Sequence, residues 1–210
     1  MKDARGREIK YLRVSVTDRC NLRCKYCMPN GIECVEHKDI LSFEEIRQIA
    51  VCGARLGITK IRLTGGEPLA RKGCPELICM LKEIPGIEKI AMTTNGTLVR
   101  AILPELVEAG LDEINISLDT LAAGMFAAIT GQDLLPEVLL AIDAALSAGL
   151  KVKVNAVSMP DTDWKRLITL AKDKPVDVRF IELMPIGEGR HSEGRSNEDL
   201  LEEIRSEFPQ

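Results

Sequence analysis

The stretch Cys20-Asn-Leu-Arg-Cys24-Lys-Tyr-Cys27-Met-Pro decides how the fold of this chain is interpreted. It places three thiols within eight residues, in the loop after the first predicted strand. Structural zinc takes four ligands and usually brings paired C-x2-C knuckles, whereas only Cys24 and Cys27 form such a pair here. An iron–sulfur cube is normally held by four thiolates at close spacing of this kind. Three thiolates would leave one iron free, so the spacing predicts a cluster that acts on a bound ligand.

A fourth protein ligand would instead make this loop a zinc site, and Cys34 and His37 are the candidates for that role. A disulfide is disfavoured because residues 1–8 are charged and lack the apolar region of a signal peptide. We therefore expect a reducing compartment, the cytoplasm. Cys52, Cys74 and Cys79 fall in or beside predicted helices, where we expect small apolar residues in or near the core.

The composition is that of an ordinary soluble globular protein, with 210 residues of which 45% are hydrophobic and 29% charged. The length favours one domain or slightly more. A net charge of −4 and an aromatic content of 3% argue against a nucleic-acid partner. No apolar run approaches the length that spans a bilayer, so no membrane partner is expected either.

Strand-like and helix-like segments alternate along the chain, with Ser42 and Glu45 forming a capping box and Gly110 and Gly149 following helical runs. The predicted strands are 11–17, 60–64, 87–93, 113–117, 151–157 and 176–182. The predicted helices are 42–56, 75–83, 98–109, 134–148 and 163–172, with a last helix over 197–208. This alternation implies right-handed crossovers and a parallel sheet. The sequence therefore predicts an α/β fold, a partial (β/α)6 TIM-like barrel with its helices outside.

The predicted strands also alternate between apolar and polar residues, although buried parallel strands usually read as continuous apolar runs. Asn115 and Ser117, for example, oppose Ile114 and Ile116. The apolar face must meet the helices, so the polar face is expected to line the inside of the barrel and to hold a ligand. An open sheet with one solvated face is the alternative interpretation of the same pattern.

Six cations fall on the polar side of these strands, in a chain that is acidic overall. They are Arg13, Lys60, Arg62, Lys151, Lys153 and Arg179. Cations directed inwards predict an anionic ligand, and arginine suits phosphate especially well. The turn Gly65-Gly66-Glu67-Pro68 lacks the P-loop pattern, so a nucleotide would have to be held by side chains of the lumen.

Several segments at strand ends carry a family resemblance. YLRVSVTDR and CNLRCKYCMP, followed by Gly65-Gly66-Glu67-Pro68, resemble the radical S-adenosylmethionine (SAM) superfamily. The segments 93–96 (TTNG), 116–119 (ISLD), 153–157 (KVNAV) and 179–185 (RFIELMP) resemble one branch of it. That branch is the GTP 3′,8-cyclases of molybdenum cofactor biosynthesis. Six matches in register over nearly the whole chain make the resemblance specific.

The resemblance implies two cofactors, a [4Fe-4S] cluster and SAM, and a GTP substrate. The cluster ligands that it implies are Cys20, Cys24 and Cys27. The implied SAM contacts are Tyr26, Gly66, Ser117 and Met184. The implied GTP contacts are Arg13, Arg62, Thr93 and Lys153, three of which are lumen cations chosen above from strand alternation alone.

The resemblance further implies that the reduced cluster cleaves SAM to a 5′-deoxyadenosyl radical. That radical abstracts hydrogen from the ribose 3′ carbon of GTP, which then attacks C8 of the guanine. Since the cofactor carries this chemistry, no side chain is nominated as acid, base or nucleophile. An electron donor for the cluster and a homodimer are the further partners expected.

The chain departs from the family after residue 195. Members of the branch are longer and continue into a second cysteine set that binds a second [4Fe-4S] cluster, whereas no cysteine follows Cys79 here. We therefore predict a radical SAM core over 1–195 and a terminal helix over 196–210 that starts a missing region. Two alternative functions stay open. The chain is either a radical SAM enzyme that acts on another substrate, or a non-catalytic remnant that binds an iron–sulfur cluster or zinc.

Overall fold

The computed structural model describes residues 2–31, 35–185 and 187–209. The strands are β1 Tyr11–Ser15, β2 Lys60–Thr64, β3 Lys89–Thr94, β4 Glu113–Ser117, β5 Lys151–Ser158 and β6 Asp177–Glu182. The helices are α1 Phe43–Arg55, α2 Cys74–Lys82, α3 Val99–Glu108, α4 Ala123–Thr130, α5 Leu135–Ser147, α6 Trp164–Asp173 and α7 Asn197–Glu207. Short 3-10 turns occupy His37–Asp39, Pro68–Ala70 and Gly187–His191.

All six strands are parallel, and each pairs with the next strand of the chain, in the order β1-β2-β3-β4-β5-β6. Helices occupy the crossovers, as a parallel sheet requires. The predicted α/β fold and its partial (β/α)6 barrel are confirmed. The predicted capping box at Ser42 and Glu45 also forms, with both of its hydrogen bonds present.

The two faces of the sheet differ in chemistry, and both are buried. Leu63, Ile114 and Ile116 on the outer face are 0% exposed against the helices. On the inner face, Arg62 and Lys153 are only 6% and 9% exposed. Polar side chains of an open sheet would be solvated, so the enclosure of these cations rules out the open-sheet interpretation.

The expectation for the isolated cysteines is correct for one of the three. Cys74 is buried at the start of α2, but Cys52 and Cys79 are exposed, so their assignment to the core was wrong. A helix turns about 100° per residue. Cys52 therefore points away from the core that Ala50 faces, and Cys79 points away from the side that Leu77 and Ile78 bury.

One helix, α4, was not predicted from the sequence. In α4, Ala122 stands at the N-cap without a side-chain hydrogen bond, so the usual start signal is lacking. The helix is held by burial of Phe126 and Ile129, and it ends at Gly131, whose φ is 78°. That left-handed glycine was the available signal.

Near the C-terminal end, α7 begins at Asn197 and buries Leu200, while the Trp164 indole donates to Glu203 at 3.0 Å. The division of the chain at residue 195 stays a prediction. In the described ranges, no single helix is long and apolar enough to cross a membrane, although the bent pair α4 and α5 passes that test together.

The outer face should carry most of the stability. We expect Leu63→Ala to lower the free energy of unfolding by about 2–5 kcal/mol, because it opens a cavity in a closed core. Leu140→Ala is the matched control, since Leu140 is 46% exposed on α5, and it should cost less than about 1 kcal/mol. Urea unfolding followed by circular dichroism measures both. Equal losses would contradict the assignment of the core to this face.

Candidate active site

The three cysteines of the loop line one cavity of about 280 Å³ at the carboxyl ends of the strands. This is the edge where parallel α/β folds place their ligands. Of the other predicted site residues, Tyr26, Gly66, Thr93 and Ser117 line the same cavity. The fold therefore brings together segments that lie almost a hundred residues apart in the sequence.

The Gly65–Gly66 turn supports the base of the cysteine loop. Gly66 N–H donates to Thr17 O at 2.8 Å, and Glu67 N–H donates to Arg19 O at 2.7 Å. A Cβ at Gly66 would lie 2.3 Å from Arg19 O, so only glycine fits. The glycine thus allows a second backbone segment to approach closely.

Glu67 ties this turn to the end of β3. Its carboxylate is 0% exposed and accepts hydrogen bonds from Thr94 Oγ1 at 2.7 Å, Asn95 N–H at 2.7 Å and Leu69 N–H at 3.1 Å. Three donors compensate the desolvation that burying a carboxylate costs. The acidic residue of the motif is therefore a structural clamp.

Asn95, held by that clamp, anchors the front of the cysteine loop. Its Nδ2 donates to Asn21 Oδ1 at 2.8 Å and lies 3.8 Å from Cys20 Sγ. Asn21 Nδ2 in turn donates to Thr97 Oγ1 at 2.9 Å. The sequence analysis did not predict the roles of Asn21 and Thr97, because a contact between residues 76 positions apart leaves no local pattern in the sequence.

Tyr26 fastens the other end of the loop. Its hydroxyl donates to Asp119 Oδ2 at 2.7 Å, and Val157 N–H donates to Asp119 Oδ1 at 2.8 Å. Burial, and then the Asp119 charge, raise the pKa of the Tyr26 phenol far above its usual value. Tyr26 therefore stays protonated and remains a donor, linking the cysteine loop to β4 and β5.

Burial favours the protonated form of two of the loop thiols. Burial, with smaller contributions from Asp119, Cys20 and Cys27, raises the pKa of the Cys24 thiol to about 12. Burial likewise raises the pKa of Cys27, helped by Cys20. Thiolates bind metals, so loading this site must release protons.

The described side chains do not form a site for a single metal ion. Within residues 2–31, 35–185 and 187–209, no three Cys, His, Asp or Glu side chains converge closely enough to hold one metal ion. All ligands of one zinc touch the same atom, whereas each thiolate of an iron–sulfur cube binds a different iron. The three cysteines around one cavity fit such a cube. Cys34 and the His37 side chain, the alternative fourth ligands, lie outside what the structure describes.

The inner face beneath this cavity carries the predicted cations. Arg62 Nη1 donates to Thr93 Oγ1 at 3.2 Å, which connects the charged layer to the cavity. Lys60 Nζ lies 2.6 Å from Glu113 Oε2, and Arg62 Nη2 lies 3.9 Å from the same oxygen. Burial alone would raise the pKa of Glu113, but Lys60, with Lys153 and Lys89, lowers it. The sequence interpretation missed Glu113, whose only signal was its place in the alternation of β4.

Other predicted residues lie at the margins. Arg13 is opposite Arg62 in the β1–β2 register but is exposed, as are Lys151 and Arg179. Met184 is 62% exposed and lines a neighbouring cavity of about 330 Å³, which shares Tyr26 and Cys27 with the first one. These residues are near the site, and their predicted roles stay predictions. Of the six cations on the polar side of the strands, Arg62 and Lys153 are buried and Lys60 is partly covered.

Comparison with known proteins agrees with this geometry. A model of the radical SAM superfamily matches residues 14–173, which include the cysteine loop and the Gly-Gly-Glu-Pro turn. The chain belongs to the radical SAM superfamily. Membership confirms the predicted cofactors, a [4Fe-4S] cluster and SAM.

Within the superfamily, the chain is similar to proteins named GTP 3′,8-cyclase. It is 47% identical over 211 residues to that of Clostridium perfringens strain 13, covering 99% of this chain and 65% of the relative. It is 50% identical over 194 residues to that of Heliobacterium modesticaldum, covering 90% of this chain and 59% of the relative. The chain thus spans less than two thirds of the length of either relative.

The fold has counterparts among solved structures. Streptococcus suis SuiB bound to S-adenosylmethionine superposes with a TM-score of 0.77 at 20% identity, covering 95% of this chain and 47% of SuiB. At that level of identity the likeness concerns the fold alone. It agrees with a partial barrel of the radical SAM type.

Gly66→Ala should detach the cysteine loop from the sheet edge, because the added Cβ would collide with a backbone carbonyl. We expect the iron and sulfide bound per chain after anaerobic reconstitution to fall by more than half. Gly124→Ala is the control, since a Cβ on that α4 residue meets nothing within 4 Å. Helix propensity should make the control neutral or slightly stabilising. Full cluster loading of Gly66→Ala would refute the close contact.

Asp119→Ala should loosen the same loop from the opposite side, because the Tyr26 hydroxyl and the Val157 N–H both lose their acceptor. Two buried donors left unpaired should cost about 2–4 kcal/mol of stability. Cluster loss on exposure to a chelator should become several times faster. Asp161→Ala, at an exposed position, serves as control. Unchanged chelation kinetics in Asp119→Ala would show that the bond to Tyr26 does not hold the loop.

Proposed function

We propose that this chain is an enzyme of the radical SAM lyase type that acts on GTP, as in the GTP 3′,8-cyclase step of molybdenum cofactor biosynthesis. The observation that carries this proposal is the burial of two cations on the inner face beside the cysteine-lined cavity: Arg62 donates to the cavity residue Thr93, and Lys153 lies on the same rung of the sheet as Thr93. The name of the chain's relatives, GTP 3′,8-cyclase, supplies the substrate. The positive charge of the inner face is suited to the triphosphate of GTP.

The charge balance of this layer supports an anionic ligand. Lys60, Arg62 and Lys153 face a single buried carboxylate, that of Glu113. Lys153 forms an ion pair, at 3.4 Å, with Asp177, whose side chain is 55% exposed, so this pair is weak. Buried cations without full compensation are costly, and a phosphate would supply the missing charge.

In this proposal, separate sets of residues bind the cluster, SAM and GTP. The cluster would be held by Cys20, Cys24 and Cys27. The SAM contacts would be Tyr26, Gly66, Ser117 and Met184. The GTP contacts would be Arg13, Arg62, Thr93 and Lys153. When bound, the cluster and SAM supply the one-electron chemistry that starts the reaction.

The side chains themselves orient and shield the substrate. Thr93 accepts a hydrogen bond from Arg62 and also lines the cysteine cavity. It would therefore lie near both the phosphates of the substrate and the cofactors. Enclosure of Arg62 and Lys153 keeps bulk water from the phosphates, which strengthens each charged contact. A long anionic substrate would thereby be held with its uncharged end toward the cysteines.

A reductive reaction also needs an electron, so we infer an electron donor that reaches the cluster and a reducing compartment such as the cytoplasm. Oxygen-sensitive clusters and free thiols both favour that compartment. The homodimer expected from the family resemblance stays a prediction.

The proposal is tested by anaerobic reconstitution of the full chain with iron and sulfide, followed by addition of reductant, SAM and GTP. We expect close to four irons per chain, an electron paramagnetic resonance signal that changes with SAM, 5′-deoxyadenosine and a cyclised GTP product. SAM cleavage with no GTP-derived product would favour another substrate. Zinc without iron, or a cluster that never cleaves SAM, would favour the non-catalytic alternative.

Lys153→Met should weaken GTP binding by about 10- to 100-fold, the range expected when a charge-assisted hydrogen bond is lost. Methionine keeps the apolar stem of lysine, so cluster content should not change. Lys172→Met, exposed in the last turn of α6, is the matched control. Isothermal titration at low and high salt measures both effects. Similar affinities for the two variants would remove Lys153 from the substrate site.

A further inference from the structure

A cavity that the proposed substrate and cofactor contacts do not use lies beside the segment that leads into Cys20. Its volume is about 450 Å³. Its walls come from Thr17 and Arg19, from Phe43 at the start of α1, and from residues 70–72. None of the described residues that line it also lines the cavity of the cysteines. The two cavities are therefore distinct.

The charged side chains of this cavity are cations. Arg19, Arg71 and Lys72 line it, and among the residues that the structure describes no carboxylate does. None of the three forms an ion pair with a described carboxylate. The backbone N–H of Glu44 and the Ser42 hydroxyl, and then Arg71, lower the pKa of the exposed Glu44 carboxyl, so one carboxylate lies near the rim. The three cations still exceed it, in a chain whose net charge is −4.

Arg71 is fixed in the wall of the cavity. Its Nη1 donates to Val16 O at 2.8 Å, and its Nη2 donates to Leu41 O at 2.9 Å. The guanidinium lies 4.2 Å from the centre of the Phe43 ring. The carbonyls and the ring are uncharged, so they position Arg71 and leave its charge unpaired.

The other two cations are exposed to solvent. The side chains of Arg19 and Lys72 make no hydrogen bond to any residue in the ranges that the structure describes. A surface that carries carboxylates can therefore pair with both of them and with the fixed charge of Arg71.

This charge lies next to the cysteine loop. Arg19 directly precedes Cys20, and Arg19 O accepts the Glu67 N–H at 2.7 Å in the contact that anchors the loop. The proposed reaction needs one electron from outside the chain. Since SAM and GTP would occupy the cysteine cavity and the inner face of the sheet, an electron carrier has to approach the loop from another side. The cavity at Arg19 offers that approach.

We propose that Arg19, Arg71 and Lys72 form the docking surface for an acidic protein that carries one electron. This inference rests on the proposed function, because it assumes a cluster that has to be reduced. The carrier loses one electron, the cluster gains it, and no bond or proton is exchanged. Redox proteins form small, short-lived complexes whose rate of formation depends on complementary charge, so the three cations steer the carrier toward Cys20.

The test reverses the two exposed charges and uses flavodoxin, an acidic flavoprotein, as the probe. The reconstituted full chain with SAM is mixed anaerobically with flavodoxin hydroquinone, and the appearance of the flavin semiquinone is followed by stopped-flow absorbance. We expect Lys72→Glu and Arg19→Glu each to slow this step by about 5- to 20-fold at low ionic strength. The difference from the unchanged protein should shrink at high salt, because salt screens exposed charges.

Two controls separate docking from damage to the site. Reduced methyl viologen is a small cationic donor that needs no docking surface, so it should reduce the variants no more slowly than the unchanged protein. Lys172→Glu carries the same change of charge at an exposed position on α6 and should leave the flavodoxin rate within about twofold. If Arg19→Glu loses iron because it adjoins Cys20, Lys72→Glu makes the test alone.

The outcomes distinguish this inference from the proposal on which it rests. If the unchanged protein takes up no cluster that either donor can reduce, the proposed function fails, and the inference fails with it. If methyl viologen supports SAM cleavage and flavodoxin reacts equally fast with the unchanged protein and Lys72→Glu, only the inference fails. Loss of a second bound inorganic triphosphate in Lys72→Glu, with an unchanged flavodoxin rate, would make the cavity a small-anion site and overturn the inference.

Discussion

The close contact between two backbones, the Gly65–Gly66 turn and the Thr17–Arg19 segment, is what the rest of the site depends on. A carbonyl stands where any side chain at Gly66 would have to be, and two hydrogen bonds join the segments. Because β1 and β2 are parallel neighbours, their carboxyl ends reach the same edge. The cysteine loop leaves from that contact, so its three thiols are held over the open end of the barrel.

Around this anchor, the sheet divides stability and binding between its two faces. The outer face contributes the apolar core, with Leu63 and Ile116 fully buried. The inner face is equally enclosed but holds Arg62, Lys153 and the amide of Asn115. Such groups lower stability in the absence of a ligand and raise affinity in its presence. Functional sites commonly contain residues of this kind, which reduce the stability of the fold because ligand binding requires them.

Much of the architecture could be predicted, because hydrophobic periodicity and helix caps are local. The Ser42 capping box and the six strands fall where the pattern places them, within one or two residues. Helix α4 escaped because Ala122 supplies no cap. The isolated cysteines were misplaced because apolar character says nothing about the helical phase, which carries Cys52 to the solvent side.

By itself, the sequence determined the fold class, the cysteine cluster and the sign of the inner face, since spacing, alternation and charge are properties of neighbouring residues. Tertiary structure alone decided which cations are enclosed and which side chains they meet. Glu113 pairs with Lys60 from 53 residues away, and Tyr26 with Asp119 from 93. No local pattern encodes such partners, because strand register and loop packing bring them within hydrogen-bond distance only after the sheet has formed.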